Sequence, residues 1–328
     1  MFDLTDISYY LPKKNYSNQL LIKNNKSINK IINKVGINKK YAAGEDEYST
    51  DLAIFAIKKI LKKNNKLFNK IDYFIYCTQS PDYSLPSGSS FIQNKLFPNR
   101  HIPSIDINLG CSGFVYSLSL AQGLIASNQA KTILIATSDT YSKIINKNDL
   151  SVRSIFGDGA AAVVIQKSKN IQNYYFDQGT DGSGNKDLIC YGSGLKNDDY
   201  ERKNNNLYMN GLNLFNFTLK AIPNSIKKIL KKNNIKLDQI DFFIFHQANK
   251  YMLESLRDKL KIDKKKFYIN LENKGNTTSS SIPIAIYESI EKKLLKKNYK
   301  VLLCGFGVGY SWSTTIININ KKFLSALR

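Results

Sequence analysis

The chain has little of the chemistry that most site signatures need. Its 328 residues include two histidines, one tryptophan and four cysteines. The cysteines, at 77, 111, 190 and 304, form no CxxC pair. With two histidines beside them no zinc spacing can be assembled, so no metal is expected. Scattered single cysteines in a chain of this size fit a reducing compartment better than a disulfide framework. Long apolar runs are missing as well. The strongest, Ile133–Ala136 and Val301–Cys304, are strand-length and far short of the roughly 20 residues of a membrane-spanning helix. The opening MFDLTDISYY has no basic stretch ahead of an apolar run, so a secretory signal is not expected and a cytoplasmic location is.

Acidic charge is scarce, and so is arginine. Lys and Arg total 48 against 26 Asp and Glu, a formal charge of +22, yet only five of the 48 are Arg. Arginine is the side chain best suited to bidentate phosphate and guanine contacts. The lysines are spread beside Asn and Ile, as in INKIINKVGINKK. Nucleic acid is therefore not the expected partner, whereas an acidic protein would be steered by such a field. A hydrophobic content of 42% with 12% aromatics places the chain among globular proteins. Its length allows one large core or two smaller ones.

A duplication organises the rest. Ile57–Ser80 and Ile226–Asn249 align at an offset of 169 with 13 of 24 positions identical, ending in a shared IDxFI. Each copy reads as a helix, a polar turn and a buried strand. A second pairing follows in the same order. Asp106–Asn108 and GCSG lead into the helical stretch Phe114–Ser127 and the strand Thr132–Ala136; Tyr268–Leu271 and KGNTT lead into Ile282–Lys296 and Val301–Cys304. The chain thus reads as two α/β halves, 1–168 and 169–328. Cys77 and His246 end equivalent strands, and Cys111 and Asn276 open equivalent helices. If the halves pack about a pseudo-twofold axis, Cys111, His246 and Asn276 share one site.

Each of the three has chemistry to offer. Cys111, between Gly110 and Ser112-Gly113, stands where a helix N-terminus lowers a thiol pKa; a structural cysteine in a tight turn is the alternative. His246 opens HQAN after the apolar strand Phe242–Phe245, the end of an α/β strand where sites are built; a core histidine is the alternative. Asn276, in KGNTT, is a natural helix N-cap, and its alignment with Cys111 is what marks it out. GFGVG at 305–309 follows the strand Val301–Cys304 and exposes backbone N–H groups fit for an oxyanion hole, or else forms a bulge or turn. FGDGAAA at 156–162 brings small residues for close packing.

Taken together, GCSG at Cys111, FGDGAAAVV at 156–164, HQAN at 246–249, GNT at 275–277 before Ser-Ile-Pro, and GFGVGYSW at 305–312 resemble the β-ketoacyl-[acyl-carrier-protein] synthase III family of the thiolase-like superfamily. The resemblance spans nearly the whole chain in order. It implies a homodimer of five-layer αβαβα subunits made of two duplicated halves, and a ping-pong reaction without a cofactor. Cys111 takes an acyl group from acyl-CoA or an acyl carrier protein. Malonyl-carrier protein then loses CO₂, and His246 and Asn276 donate hydrogen bonds to its thioester oxygen. The backbone N–H groups of Cys111 and Val308 hold the acyl oxygen. By the same resemblance Leu85 stands at the partner subunit's acyl tunnel. Arg153, Phe156, Met209, Asn210, Gly211, Phe215, Asn249 and Phe306 line the substrate and pantetheine channel, and Lys250 and Tyr251 dock the carrier protein.

The departures concern the donor. Where many members grip adenine with Trp and Arg, this chain has Lys30 and Lys34, and its Trp is Trp312. An Arg two residues after HQAN is replaced by Tyr251. These changes favour a carrier-protein donor over acetyl-CoA. The alternatives are a same-fold O- or N-acyltransferase of a specialised pathway and a non-catalytic basic binding protein. A thiolase would need Cys304 as a second nucleophile. A hydroxymethylglutaryl-type synthase would need a Glu where Cys77–Ser90 offers only Asp82.

Overall fold

The computed structural model describes residues 2–22, 28–168, 174–196 and 206–325. Ten strands form two five-stranded sheets. The first runs in the order Phe2–Tyr10, Gly159–Lys167, Thr132–Asp139, Tyr73–Cys77, Ser104–Ile107. The second, from its opposite edge, runs Phe176–Thr180, Ser311–Asn318, Lys300–Gly307, Phe242–Phe245, Phe267–Tyr268. Directions also repeat. In each sheet two antiparallel pairings are followed by two parallel ones. The boundary read at 168/169 abuts residues 169–173, which lie outside the described residues.

The repeated IDxFI has a visible cause. Asp72 accepts the N–H groups of Lys131 and Thr132, both at 2.9 Å, and its N–H donates to Thr132 O. Asp241 accepts the N–H of Lys300 at 2.8 Å, and its N–H donates to Lys300 O. Each aspartate thus ties the start of its own strand to the start of the next. The strands that follow are apolar on both faces because both faces are covered. Ile75, Ile133 and Ile135 of the first sheet, and Ile244, Val301 and Leu303 of the second, meet in one core. The helices Gly113–Ala126 and Ser281–Glu291 share that core and form the middle layer. Phe74, Leu134 and Ala162 face the opposite way, onto the helix Ser49–Lys63. Phe243, Leu302 and Cys304 face out onto the helices Gly211–Lys232 and Lys250–Lys259. The result is five layers, αβαβα.

Three local expectations change. The helix expected over Ile282–Lys296 is shorter, Ser281–Glu291. The strand expected over Val301–Cys304 is longer, Lys300–Gly307, and a further strand follows it, Ser311–Asn318. Two glycines of GFGVG therefore lie inside a strand and not in a turn after it. Small residues are required there because Cys111 packs on that strand: a Cβ at Gly307 would lie 2.8 Å from Cys111 Cβ, and one at Gly305 would lie 2.7 Å from Cys111 O. Among the described residues no helix is long and apolar enough to cross a membrane.

Candidate active site

Cys111 sits in the turn that precedes the helix Gly113–Ala126, closed by Gly113 N–H donating to Gly110 O at 2.8 Å. Glycine at 113 is needed because a Cβ there would strike Cys77 Sγ at 2.3 Å. Ser112 reaches across to the other half, with its Oγ 2.7 Å from Ser311 Oγ. The Cys111 side chain is buried, against Gly307. Burial pushes its thiol up to about 12, and the Asp139 carboxylate adds to the rise. Desolvation of a thiolate thus works against the lowering expected of a helix start.

His246 follows the strand Phe242–Phe245, its N–H donating to Cys304 O at 2.8 Å. The ring is buried, 5.6 Å from the Phe306 ring and edge-on to it. Its Nδ1 lies 2.7 Å from Ser281 Oγ. Burial lowers its pKa to about 3, partly opposed by a hydrogen bond to the Thr278 backbone. The imidazole is therefore neutral at physiological pH.

Asn276 is held by backbone on both sides: its N–H donates to Ile155 O at 2.9 Å, and its carbonyl accepts from Gly157 at 3.0 Å. Its Oδ1 accepts from Thr278 N at 2.9 Å. That is an Asx turn two residues long, not the helix N-cap expected from sequence; Ser280 precedes the helix instead. Thr278 adopts a φ of 46° in this turn. Thr278 thus touches both His246 and Asn276, and its hydroxyl donates to the Asp139 carboxylate.

Asp139 is a residue the sequence reading missed. It ends the strand Thr132–Asp139 fully buried. It accepts from Gln79 N at 2.8 Å and from the Ser279 hydroxyl at 2.5 Å. Burial raises its pKa and these donors oppose the rise. It links the strand end of one half to the Asn276 loop of the other. An acid closing an apolar strand in TSDT was the available signal. Ser281, the partner of His246, lay unmarked in the run SSSIP. Asp158 of FGDG is also buried and accepts from Ala43 N at 2.8 Å and Ser142 N at 2.9 Å; burial lifts its pKa to about 6.

The remaining predicted residues fall into several places. Phe306 is at His246, and Val308 follows it, half-buried. Phe215 stacks on Tyr251 at 5.3 Å, and the exposed Lys34 places its Nζ over the Tyr251 ring, 5.5 Å from its centroid. Lys250 is beside them and exposed. Asn210 and Asn249 cap the helices Gly211–Lys232 and Lys250–Lys259, accepting from Asn213 N at 3.1 Å and Met252 N at 2.8 Å. Met209 and Gly211 flank Asn210. Arg153 and Phe156 line a separate cavity that none of the other channel residues borders. Leu85 projects outward, 86% exposed.

Two competing chemistries lose their residues. Cys304 is fully buried on the outer face of its sheet, against the outer helices, and lies 3.3 Å from Thr314 Oγ1. Asp82 is occupied by Ser49 Oγ at 2.9 Å and by the Thr50 hydroxyl. Among the described residues no group of three His, Cys, Asp or Glu could hold a metal ion.

Comparison with known proteins gives the same answer along the chain. Residues 105–182 match the 3-oxoacyl-[acyl-carrier-protein] synthase III family, and residues 230–319 match its C-terminal domain. A β-ketoacyl-[acyl-carrier-protein] synthase III of Clostridium perfringens is 37% identical over 293 residues, 88% of this chain and 90% of the relative. One from Clostridium tetani is 36% identical over 94% of this chain and 95% of its own. A crystal structure of a 3-oxoacyl-(acyl-carrier-protein) synthase III superposes with a TM-score of 0.91 at 35% identity, over 97% of this chain and 99% of that one. The synthase from Burkholderia xenovorans does so with a TM-score of 0.92 at 30% identity, over 97% and 94%. The thiolase-like fold, the order of the motifs and these relatives agree: the chain belongs to the 3-oxoacyl-[acyl-carrier-protein] synthase III family and is an acyl-transferring condensing enzyme.

Proposed function

We propose that Cys111 is the nucleophile and that His246 and Asn276 serve the decarboxylation. An acyl thioester enters, a bond forms from Cys111 Sγ to the acyl carbon, and the donor thiol leaves with the proton. Malonyl-carrier protein then loses CO₂, and the electron pair passes to its thioester enolate. The enolate carbon attacks the acyl-enzyme and releases Cys111 and a β-ketoacyl-carrier protein. The acyl-enzyme divides one difficult condensation into two steps. Gln247 N–H lies 3.4 Å from Ser281 Oγ, which lies 2.7 Å from His246 Nδ1; in the tautomer this reading requires, the serine donates to Nδ1. The ring then carries its own proton on Nε2, where it donates to the enolate oxygen beside the Asn276 amide. Two preorganised donors in a dry site are worth several kcal/mol to such a transition state. Backbone N–H groups of Cys111 and Val308 take the acyl oxygen.

The observation that carries this reading is the single bonded network of Asp139, Thr278, His246 and Asn276, with Cys111 packed on the strand that leads from Cys304 to Gly307. Met209, Asn210, Gly211, Phe215, Asn249 and Phe306 are read as the pantetheine channel, with Lys250 and Tyr251 at its mouth for an acidic carrier protein. The donor is read as an acyl-carrier protein, since lysines stand at 30 and 34. A cytoplasmic homodimer of two-half subunits, 1–168 and 169–328, using no cofactor and no nucleic acid, completes the proposal.

Intact mass after mixing with acyl-CoA and acyl-carrier-protein thioesters tests it. A mass gain in the wild type that is lost in Cys111→Ala, and discharged by malonyl-carrier protein with CO₂ release, is expected. Acylation without CO₂ release would indicate transfer to oxygen or nitrogen instead. An adduct that persists in Cys111→Ala would refute the nucleophile.

A further inference from the structure

Asp139 is fully buried at the end of the strand Thr132–Asp139, and its two carboxylate oxygens serve different halves of the chain. Oδ1 accepts from the first half: Gln79 N at 2.8 Å, and the Thr78 and Ser80 hydroxyls, each at 3.4 Å. Oδ2 accepts from the second half: the Thr278 hydroxyl, the Ser279 hydroxyl at 2.5 Å and Ser279 N at 3.3 Å. All of these donors are neutral N–H or O–H groups. Taking a carboxylate out of water is costly, and what these bonds hold is a strained turn.

Thr278 is the strained residue. It is β-branched, fully buried and set at a φ of 46°, in the left-handed region that such side chains rarely adopt. A backbone of this kind persists where its surroundings over-determine it. Asp139 does so by gripping Thr278 through its hydroxyl and Ser279 through both its N–H and its hydroxyl. The turn in its place then fixes Asn276. Thr278 N donates to Asn276 Oδ1 at 2.9 Å, which leaves the amide nitrogen as the group free to donate elsewhere. The Thr278 backbone also bonds to His246.

We propose that Asp139 is a positioning residue for decarboxylation, holding the strained Thr278 turn and, through it, the Asn276 amide. The inference rests on the reading in which His246 and Asn276 serve the enolate. An isosteric change separates position from bulk. In Asp139→Asn the amide oxygen can stay on Gln79 N, and the amide nitrogen then meets Ser279 N, donor against donor. The grip on the second half is lost while the side chain keeps its volume.

Two rates are read separately: acyl-enzyme formation at Cys111 by intact mass, and CO₂ release from malonyl-carrier protein without an acyl donor. Asp139→Asn is expected to slow CO₂ release about 100-fold. Acylation is expected to hold or rise, since the carboxylate helps to raise the Cys111 thiol. Adding Thr278→Gly to Asp139→Asn is expected to regain about tenfold or more of CO₂ release, because glycine takes this φ unaided. Asn276→Ala is the control for the underlying reading. It should cost CO₂ release at least as much, and combining it with Asp139→Asn should cost less than the product of the two. CO₂ release lost in Asn276→Ala but unchanged in Asp139→Asn would overturn the inference alone. Unchanged release in Asn276→Ala would overturn the reading and the inference with it. Equal slowing of both steps in Asp139→Asn, or no regain with Thr278→Gly, would make the aspartate a general support and overturn its positioning role. Circular dichroism confirms folding. If Asp139→Asn does not fold, Ser279→Ala removes one arm of the grip: a loss of about tenfold confined to CO₂ release supports the inference, and an unchanged rate overturns it.

Discussion

Burial acts on Cys111 and His246 in opposite directions for one reason: each charged form loses water. The thiol rises to about 12 and the imidazole falls to about 3, so the resting pair is neutral and not a thiolate–imidazolium ion pair. With the folded pKa far above neutrality, the thiolate fraction grows about tenfold for each pH unit from 7 to 9. Alkylation of the Cys111 peptide by iodoacetamide, followed by mass spectrometry, is expected to climb with that slope and show no plateau. A plateau near pH 6–7 would mean a preformed ion pair. Cys111, His246 and Asn276 were legible because each lies at a motif that the duplication aligns. Asp139 and Ser281 were not, because a residue that bonds another side chain across two halves leaves no local pattern.

Between elements, the decisive contact is the turn at Cys111 against the strand Lys300–Gly307. At Gly307 an added Cβ would stand 3.0 Å from Cys111 Sγ. Gly307→Ala is therefore expected to displace the sulfur and slow acylation on the order of 100-fold, the cost of roughly an ångström of misplacement. Gly123, within the helix Gly113–Ala126, has nothing within 4 Å of the same atom. Gly123→Ala is expected to leave acylation unchanged and to stabilise the fold by about 1 kcal/mol. Thioester acylation rates and thermal melts of the two variants check the contrast; equal acylation would remove the packing argument. The duplicated helices and strands could be read from sequence because apolar runs and the repeated Asp72 and Asp241 are local signals. The role of the C-terminal glycines could not, because it depends on a turn nearly 200 residues away.

At the scale of the whole molecule the surface is uneven. Exposed lysines are spread along the chain, yet the segment 83–91 presents Tyr83 at 61% and Leu85 at 86% exposure, with Tyr83 stacked on Phe91 at 5.3 Å. The segment is held in place: Asp106 accepts Gly88 N at 2.6 Å and Ser89 N at 2.9 Å. An ordered apolar projection on a highly charged chain is a surface that gains by being covered. In the proposed homodimer a second copy covers it, and Leu85 reaches the partner's acyl tunnel. Sedimentation is then expected to give twice the 37.3 kDa of the chain. Leu85→Asp puts a carboxylate into that contact, where burial without a partner costs several kcal/mol. It is expected to shift the population toward monomer at micromolar concentration. In the remaining dimer it should reduce acylation by longer acyl chains more than by acetyl, because it alters the tunnel and not the nucleophile. A Leu85→Asp protein that keeps both its dimer mass and its chain preference would place this segment outside the interface.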